Sequence, residues 1–125
     1  MIYGVGVDIV KIDRIQSAVE KWGEGFLRKV FTENEIEYCY SKKVPYLSLA
    51  VRFAAKEAFI KAISGEITVS LKDVEVVTEG SGRPNIKVYG KVKEFIEDKN
   101  IRNIHLSLSH EKEFGVATAV LEARD

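Results

Sequence analysis

At residues 2–10 the chain reads IYGVGVDIV, and at residues 52–62 it reads RFAAKEAFIKA. The first segment is rich in valine and isoleucine, which favours a strand, and it carries the single acid Asp8. The second favours a helix and carries the single acid Glu57 among cations. A half-buried acid is costly without a charged partner. The two segments therefore predict both the fold and a site.

Glycine and proline residues help to predict where these two elements lie and how they pack. We expect a buried strand over residues 2–9, in which Gly4 and Gly6 allow another backbone to come close. We expect a long helix over residues 45–63, because Pro45 suits a first helical turn. Small and apolar residues at helical spacing would form its buried face.

The rest of the chain predicts an α+β fold, with helices packed on a small, mainly antiparallel sheet. A capping box is expected at Thr32 and Glu35. The remaining predicted elements are a helix through residues 15–22 ended by Gly23 and Gly25, helices over 26–31, 33–41 and 90–99, a C-cap at Gly65, a hairpin turning at 80–84, and strands over 103–110 and 114–122.

Composition limits the classes of function. The 125 residues predict a single domain over 1–125. Nineteen basic and 19 acidic residues give zero net charge, which disfavours nucleic acid as a partner. No apolar run is long enough to span a membrane. The single Cys39 cannot form an intramolecular disulfide, so we expect a cytoplasmic protein in which this thiol packs in the core.

The two acids suggest a metal site. Asp8 and Glu57, with basic residues beside them, suit a Mg²⁺ ion that in turn holds phosphate. Each also has an ordinary interpretation. Asp8 could cap the next helix or pair with Arg14, and Glu57 could form a surface ion pair with Lys61, four residues later.

Cations are concentrated in residues 41–61. That stretch has five, at Lys42, Lys43, Arg52, Lys56 and Lys61, against the single acid Glu57. It is either a solvated helix face or a polyphosphate site, because lysine and arginine both bind phosphate oxygens.

The order and spacing of four motifs resemble the holo-acyl-carrier-protein synthase type of 4′-phosphopantetheinyl transferase. They are GVGVDI at residues 4–9, RFAAKEAFIKA at 52–62, GSGRP at 80–84 and LSLSH at 106–110. The resemblance implies the fold of that family. It also implies transfer of 4′-phosphopantetheine from coenzyme A to a serine of apo acyl carrier protein, in support of fatty acid biosynthesis.

The resemblance also assigns residues. It implies that Asp8 and Glu57 hold Mg²⁺ and that Lys61 acts with them in catalysis. The residues expected to bind coenzyme A are Arg52, Lys56, Lys61, Gly82, Arg83, Pro84 and His110. The turn at 80–84 could otherwise merely join a hairpin, and His110 could be structural. Glu111 stands where the family often has threonine or serine, which puts a phosphate contact there in doubt.

Two kinds of partner follow from the resemblance. The helix after Asp8 would dock the acidic helix of the carrier protein through Arg14, Lys21 and Arg28, although Glu20 and Glu24 interrupt this basic face. The resemblance implies a homotrimer, with part of the coenzyme A contact supplied by a neighbour. The apolar residues on both faces of 103–110 and 114–122 indicate only more than a monomer.

Other interpretations remain at this stage. A noncatalytic module for coenzyme A or nucleotides would explain the cations without requiring both acids. A Mg²⁺-dependent phosphohydrolase would need a further acidic motif, which the sequence lacks. The base that accepts the serine proton could be a metal-bound water, Glu35 or one of the metal carboxylates.

Overall fold

The computed structural model describes residues 1–124, which form an α+β fold as predicted. The elements in chain order are β1 (Ile2–Lys11), α1 (Ile12–Trp22), α2 (Glu24–Val30), α3 (Glu33–Tyr40), α4 (Pro45–Ala62), β2 (Val74–Thr78), β3 (Pro84–Val88), α5 (Gly90–Asp98), β4 (Ile101–His110) and β5 (Phe114–Ala123). A 3₁₀ turn at Leu71–Asp73 leads into β2. No helix among these is both long and apolar enough to cross a membrane.

Two antiparallel sheets carry the strands. β5 lies between β1 and β4 in a three-stranded sheet, and β2 pairs with β3 in a hairpin. The register places Gly6 opposite Ala119 and Asp8 opposite Ala117. Asp8 therefore lies near the end of β1, opposite Ala117 of β5, which is small and buried.

Helix α4 packs directly on the three-stranded sheet, and the glycines of β1 make this possible. A Cβ atom on Gly4 would lie 1.8 Å from the Ala62 carbonyl oxygen, and one on Gly6 would lie 1.8 Å from that of Ala58. Ala58 and Ala62 are themselves buried. The predicted close backbone approach is confirmed, and it fixes Asp8 relative to α4.

The opposite face of β1 is open, which corrects the prediction of a fully buried strand. Val5, Val7 and Ile9 are each more than half exposed. Their partners on β5 are Val120, Thr118 and Val116, all only partly buried. The strand alternates between a face with two glycines that packs on α4 and an apolar face that is mostly exposed among residues 1–124.

Local signals placed most helix ends correctly. The capping box is present: the Glu35 N–H donates to Thr32 Oγ1, and the Thr32 N–H donates to Glu35 Oε1. Gly23, at φ +55°, ends α1. Two details differ. Gly25 lies inside α2, and α4 is capped by Ile63 rather than by Gly65, which adopts φ +66° in the turn that follows.

Candidate active site

Asp8 and Lys61 form the first contact of the site. Lys61 Nζ lies 3.0 Å from Asp8 Oδ1 and 3.1 Å from the Val7 carbonyl oxygen. The Asp8 side chain is 17% exposed and that of Lys61 55% exposed. Asp8 therefore pairs with Lys61, across from β1 to α4, and not with Arg14. Because an ammonium group has three N–H donors, one remains for a ligand.

Glu57 adjoins the same pair. Burial raises its pKa, the negative charge of Asp8 raises it further, and Lys61 opposes both effects. The two carboxylates are thus close enough to repel each other, as expected for neighbouring acids that share a site. A cation between them would relieve that repulsion.

The donor set fits Mg²⁺. No group of three or more acidic, histidine or cysteine side chains suited to a metal occurs within residues 1–124. Asp8 and Glu57 supply two carboxylates, which is the number that Mg²⁺ commonly takes from a protein when substrate phosphates complete its shell. The site therefore fits a metal shared with a phosphorylated ligand.

A cleft of about 470 Å³ opens on the first half of the same helix, α4, where Ser48, Val51 and Arg52 line it. It is lined in part by Arg52, Gly82, Pro84 and His110, and no carboxylate is among the residues that form it. The structure thus brings together four of the residues predicted to bind coenzyme A. A cleft with a guanidinium, an imidazole and no acid suits an anion.

Arg52 is unusually buried for an arginine, with 5% of its surface exposed. One terminal nitrogen donates to Thr78 Oγ1 at 2.8 Å, and the other donates to the Ser48 carbonyl at 3.4 Å. Its Nε is buried with no hydrogen-bond partner within residues 1–124. A buried N–H without an acceptor costs free energy, and an anionic ligand in the cleft would supply acceptors.

Arg83 lies in an adjoining cleft that shares Pro84 and Leu106 with the first. The hairpin turn that carries it is closed by hydrogen bonds between Glu79 and Arg83 and between Gly82 and Glu79. Gly82 adopts φ +87°, which explains why glycine stands there. The turn therefore presents Gly82 to the first cleft and Arg83 to the adjoining one, while Pro84 lies between them and lines both.

The position of Lys56 argues against its predicted phosphate contact. Its side chain is fully buried, and Nζ donates to Glu35 Oε1 at 2.8 Å and to the carbonyls of Leu71 and Val74. These three acceptors use all three of its protons. Lys56 therefore joins α4 to α3 and to the segment that leads into β2 inside the core, and it does not line the cleft.

Glu35 is likewise unsuited to the role of general base. It is 1% exposed, and besides Lys56 it accepts hydrogen bonds from the Thr32 and Val76 N–H groups. Glu75 extends this polar cluster by accepting from Thr32 and Tyr89. The cluster joins α3, α4 and β2, and none of Glu35, Lys56 and Glu75 lines the cleft.

The residues predicted to dock the carrier protein lie on α1 and α2. Arg14, Lys21 and Arg28 are all exposed. Arg28 is paired with both Glu24 and Glu33, and Lys21 lies 4.9 Å from the Trp22 ring. Arg14 makes no ion pair within residues 1–124, so its charge is the least compensated of the three.

Sequence reasoning missed Tyr38 and Thr78, which also line the cleft. Both contact Arg52, Tyr38 through its ring and Thr78 through its hydroxyl. No short motif contains them, since they reach Arg52 from other elements. The only local sequence feature that could have pointed to Tyr38 is its spacing from Lys42, which follows four residues later and so can reach the same side of the chain.

Together these features define a class: a small α+β protein in which one helix, α4, contributes both to a cleft suited to an anion and to a cluster of two carboxylates and a lysine. The sequence model of the 4′-phosphopantetheinyl transferase superfamily matches residues 4–119 of this chain. The holo-[acyl-carrier-protein] synthase of Halothermothrix orenii is 45% identical over 123 residues, which cover 98% of each chain. The chain belongs to this superfamily, as its sequence motifs predicted.

Solved structures agree with this assignment. The crystal structure of holo-[acyl-carrier-protein] synthase from Neisseria meningitidis has a TM-score of 0.90 at 33% identity, covering 98% of this chain and 99% of that chain. The synthase from Bacillus anthracis, solved in complex with CoA (3′,5′-ADP), has a TM-score of 0.80 at 36% identity and covers 99% of each chain. The predicted fold is confirmed.

Proposed function

We propose that this protein transfers 4′-phosphopantetheine from coenzyme A to a serine of apo acyl carrier protein, as a single transferase domain that serves fatty acid biosynthesis. The observation that carries the proposal is the acid-free cleft around Arg52 and His110, which is lined by the same helix, α4, that carries Glu57 and Lys61. Lys61 is paired with Asp8, and the charge of Asp8 acts on Glu57. Relatives over the full chain bear the name of this activity.

Binding would be divided between these two regions. Arg52, Gly82, Pro84 and His110 would hold coenzyme A in the cleft, with Arg83 reaching it from the adjoining one. Lys61, fixed by Asp8 and the Val7 carbonyl, would direct its remaining N–H at a phosphate oxygen. This arrangement orients the pyrophosphate before the reaction, which lowers the barrier.

Asp8 and Glu57 would hold Mg²⁺. When bound, that ion neutralises charge on the pyrophosphate. The serine oxygen forms a bond to the β-phosphorus, and the bond from that phosphorus to the bridging oxygen breaks. Adenosine 3′,5′-bisphosphate leaves, and the serine proton passes to solvent or to a site carboxylate, since Glu35 is fully engaged in the core.

The carrier protein and the assembly complete the proposal. Arg14 and Lys21 on α1, with Arg28 on α2, would face the acidic carrier. The exposed face of β1 would be covered in a homotrimer, in which the number three comes from the family. The buried, free thiol of Cys39 is compatible with a cytoplasmic location.

One experiment separates this function from its two rivals. The protein is incubated with coenzyme A and Mg²⁺, with and without apo carrier protein, and both the carrier and the small molecules are measured by mass spectrometry. Transfer predicts a carrier heavier by phosphopantetheine. Bisphosphate released without carrier would indicate a phosphohydrolase, and binding of coenzyme A with no product would indicate a noncatalytic module.

Variants assign the reaction to the site. Asp8→Ala and Glu57→Ala should each abolish most of the transfer while the fold is retained, because a two-carboxylate site loses its metal when one ligand is removed. Glu94→Ala, which removes an exposed acid from α5, is the matched control and should transfer at the rate of the unaltered protein. Full activity of either site variant at limiting Mg²⁺ would contradict the metal assignment.

A further inference from the structure

Two cations lie against the ring of Tyr38, which lines the cleft. The Arg52 guanidinium carbon lies 4.2 Å from the ring centroid, and Lys42 Nζ lies 4.6 Å from it. Both distances fall within the range of cation–π attraction. No carboxylate among residues 1–124 pairs with either cation, so the ring holds together two like charges that would otherwise repel.

The same ring restrains the direction of Arg52. With Thr78 accepting from one terminal nitrogen and the ring packed against the guanidinium, the group is held on two sides. The pKa of Tyr38 is lowered, first by its nearby Thr78 hydroxyl and then by the positive charges of Arg52 and Lys42, while burial opposes this. Tyr38, Thr78 and Arg52 thus form one connected unit that lines the cleft.

A restrained arginine binds an anion better than a mobile one, because less side-chain entropy is lost on binding. We propose that Tyr38 is a positioning residue that holds Arg52 and Lys42 as a pair for a phosphate group of coenzyme A, an inference that rests on the proposed function.

The test is a double-mutant cycle on coenzyme A binding, measured by calorimetry on the full chain. Tyr38→Leu should weaken binding about tenfold, which equals roughly 1.4 kcal/mol. Tyr38→Phe keeps the ring and should restore most of the affinity. In an Arg52→Met background, Tyr38→Leu should have little further effect, because its contribution passes through Arg52.

Tyr40→Leu is the matched control. Tyr40 is an exposed tyrosine on the same helix that does not line the cleft, so its replacement should leave coenzyme A affinity unchanged. In the transfer assay, Tyr38→Leu should raise KM for coenzyme A and leave kcat nearly constant. If Tyr38→Leu fails to fold, Tyr38→Met, whose longer and flexible side chain can fill more of the space along the tyrosine ring, takes its place in the cycle.

The outcomes separate the two proposals. If the unaltered protein binds no coenzyme A, the proposed function fails. If it binds coenzyme A but Tyr38→Leu binds equally well, the role of Tyr38 is overturned and the function stands. An equal loss from Tyr38→Leu with and without Arg52 would also overturn the inference, because it would indicate general packing.

Discussion

The ammonium of Lys56 lies 2.8 Å from Glu35 Oε1, and both side chains are completely buried. This ion pair connects α4 to α3 through the centre of the molecule. The adjacent residue on α4, Glu57, belongs to the proposed metal site. The two neighbours have different roles because successive residues on a helix point in directions about 100° apart.

We expect Lys56→Met to lower the free energy of unfolding by about 3–5 kcal/mol, because it leaves the Glu35 carboxylate buried without its charged partner. Equilibrium denaturation in urea measures this loss. In a Glu35→Gln background the same replacement should cost less, since no buried charge is then left unpaired. Lys72→Met, at an exposed lysine beside β2, is the control and should change stability by less than about 0.5 kcal/mol.

A different result would restore the role predicted from the sequence. If Lys56→Met were as stable as the unaltered protein and bound coenzyme A more weakly, Lys56 would be a phosphate ligand after all.

The contrast between Lys56 and the capping box shows what the sequence determines. The Thr32–Glu35 box is set by two residues three positions apart, and the prediction was correct. The burial of Lys56 depends on which side of α4 meets α3, and the contact of Tyr38 with Arg52 joins two helices. Such contacts depend on packing between distant segments, which local rules do not describe.

The same distinction applies to β1. Its glycines indicated close packing, and the structure confirms the contact with α4. Val5 and Val7 also indicated burial, but they lie on the other face, because successive side chains of a strand alternate. Composition identified the strand, and only the fold showed which face of it is covered within the chain.

Gly6→Ala tests the close packing of β1 on α4. The added methyl group would lie 1.8 Å from the backbone oxygen of Ala58, so strand and helix must separate. We expect a loss of about 3 kcal/mol, near the upper end for overpacked cores. Denaturation in urea gives the value. Gly80→Ala is the control, because a Cβ atom there meets nothing within 4 Å. Equal stability of the two variants would contradict the packing argument.

Charge reversal tests the docking surface. Arg14→Glu should raise KM for apo carrier protein by about tenfold while KM for coenzyme A stays constant, since it replaces attraction to an acidic partner by repulsion. Arg28→Glu should have a smaller effect, because Glu24 and Glu33 already compensate that charge. Steady-state kinetics at low and moderate salt measure both, and the difference should shrink as salt rises.

An equal effect at the two positions would indicate that the local ion pairs of Arg28 open on docking. No effect at either position would place the carrier protein on another surface.

The last prediction concerns the open face of β1. Val5, Val7 and Ile9 are 56–61% exposed and continue across partly exposed residues of β5. An apolar strip of this kind is expected to be covered in solution. Val7→Lys would place a charge in the centre of the strip and should convert the proposed homotrimer to monomers, as measured by sedimentation equilibrium. Val44→Lys is the matched control, at a valine that is 53% exposed but lies outside the sheet, and it should sediment like the unaltered protein. Loss of transfer together with loss of assembly in Val7→Lys would indicate that the active site requires a neighbouring subunit. A fully active monomer of the unaltered protein would contradict the proposed trimer, and a fully active monomer of Val7→Lys would contradict a site that requires a neighbouring subunit.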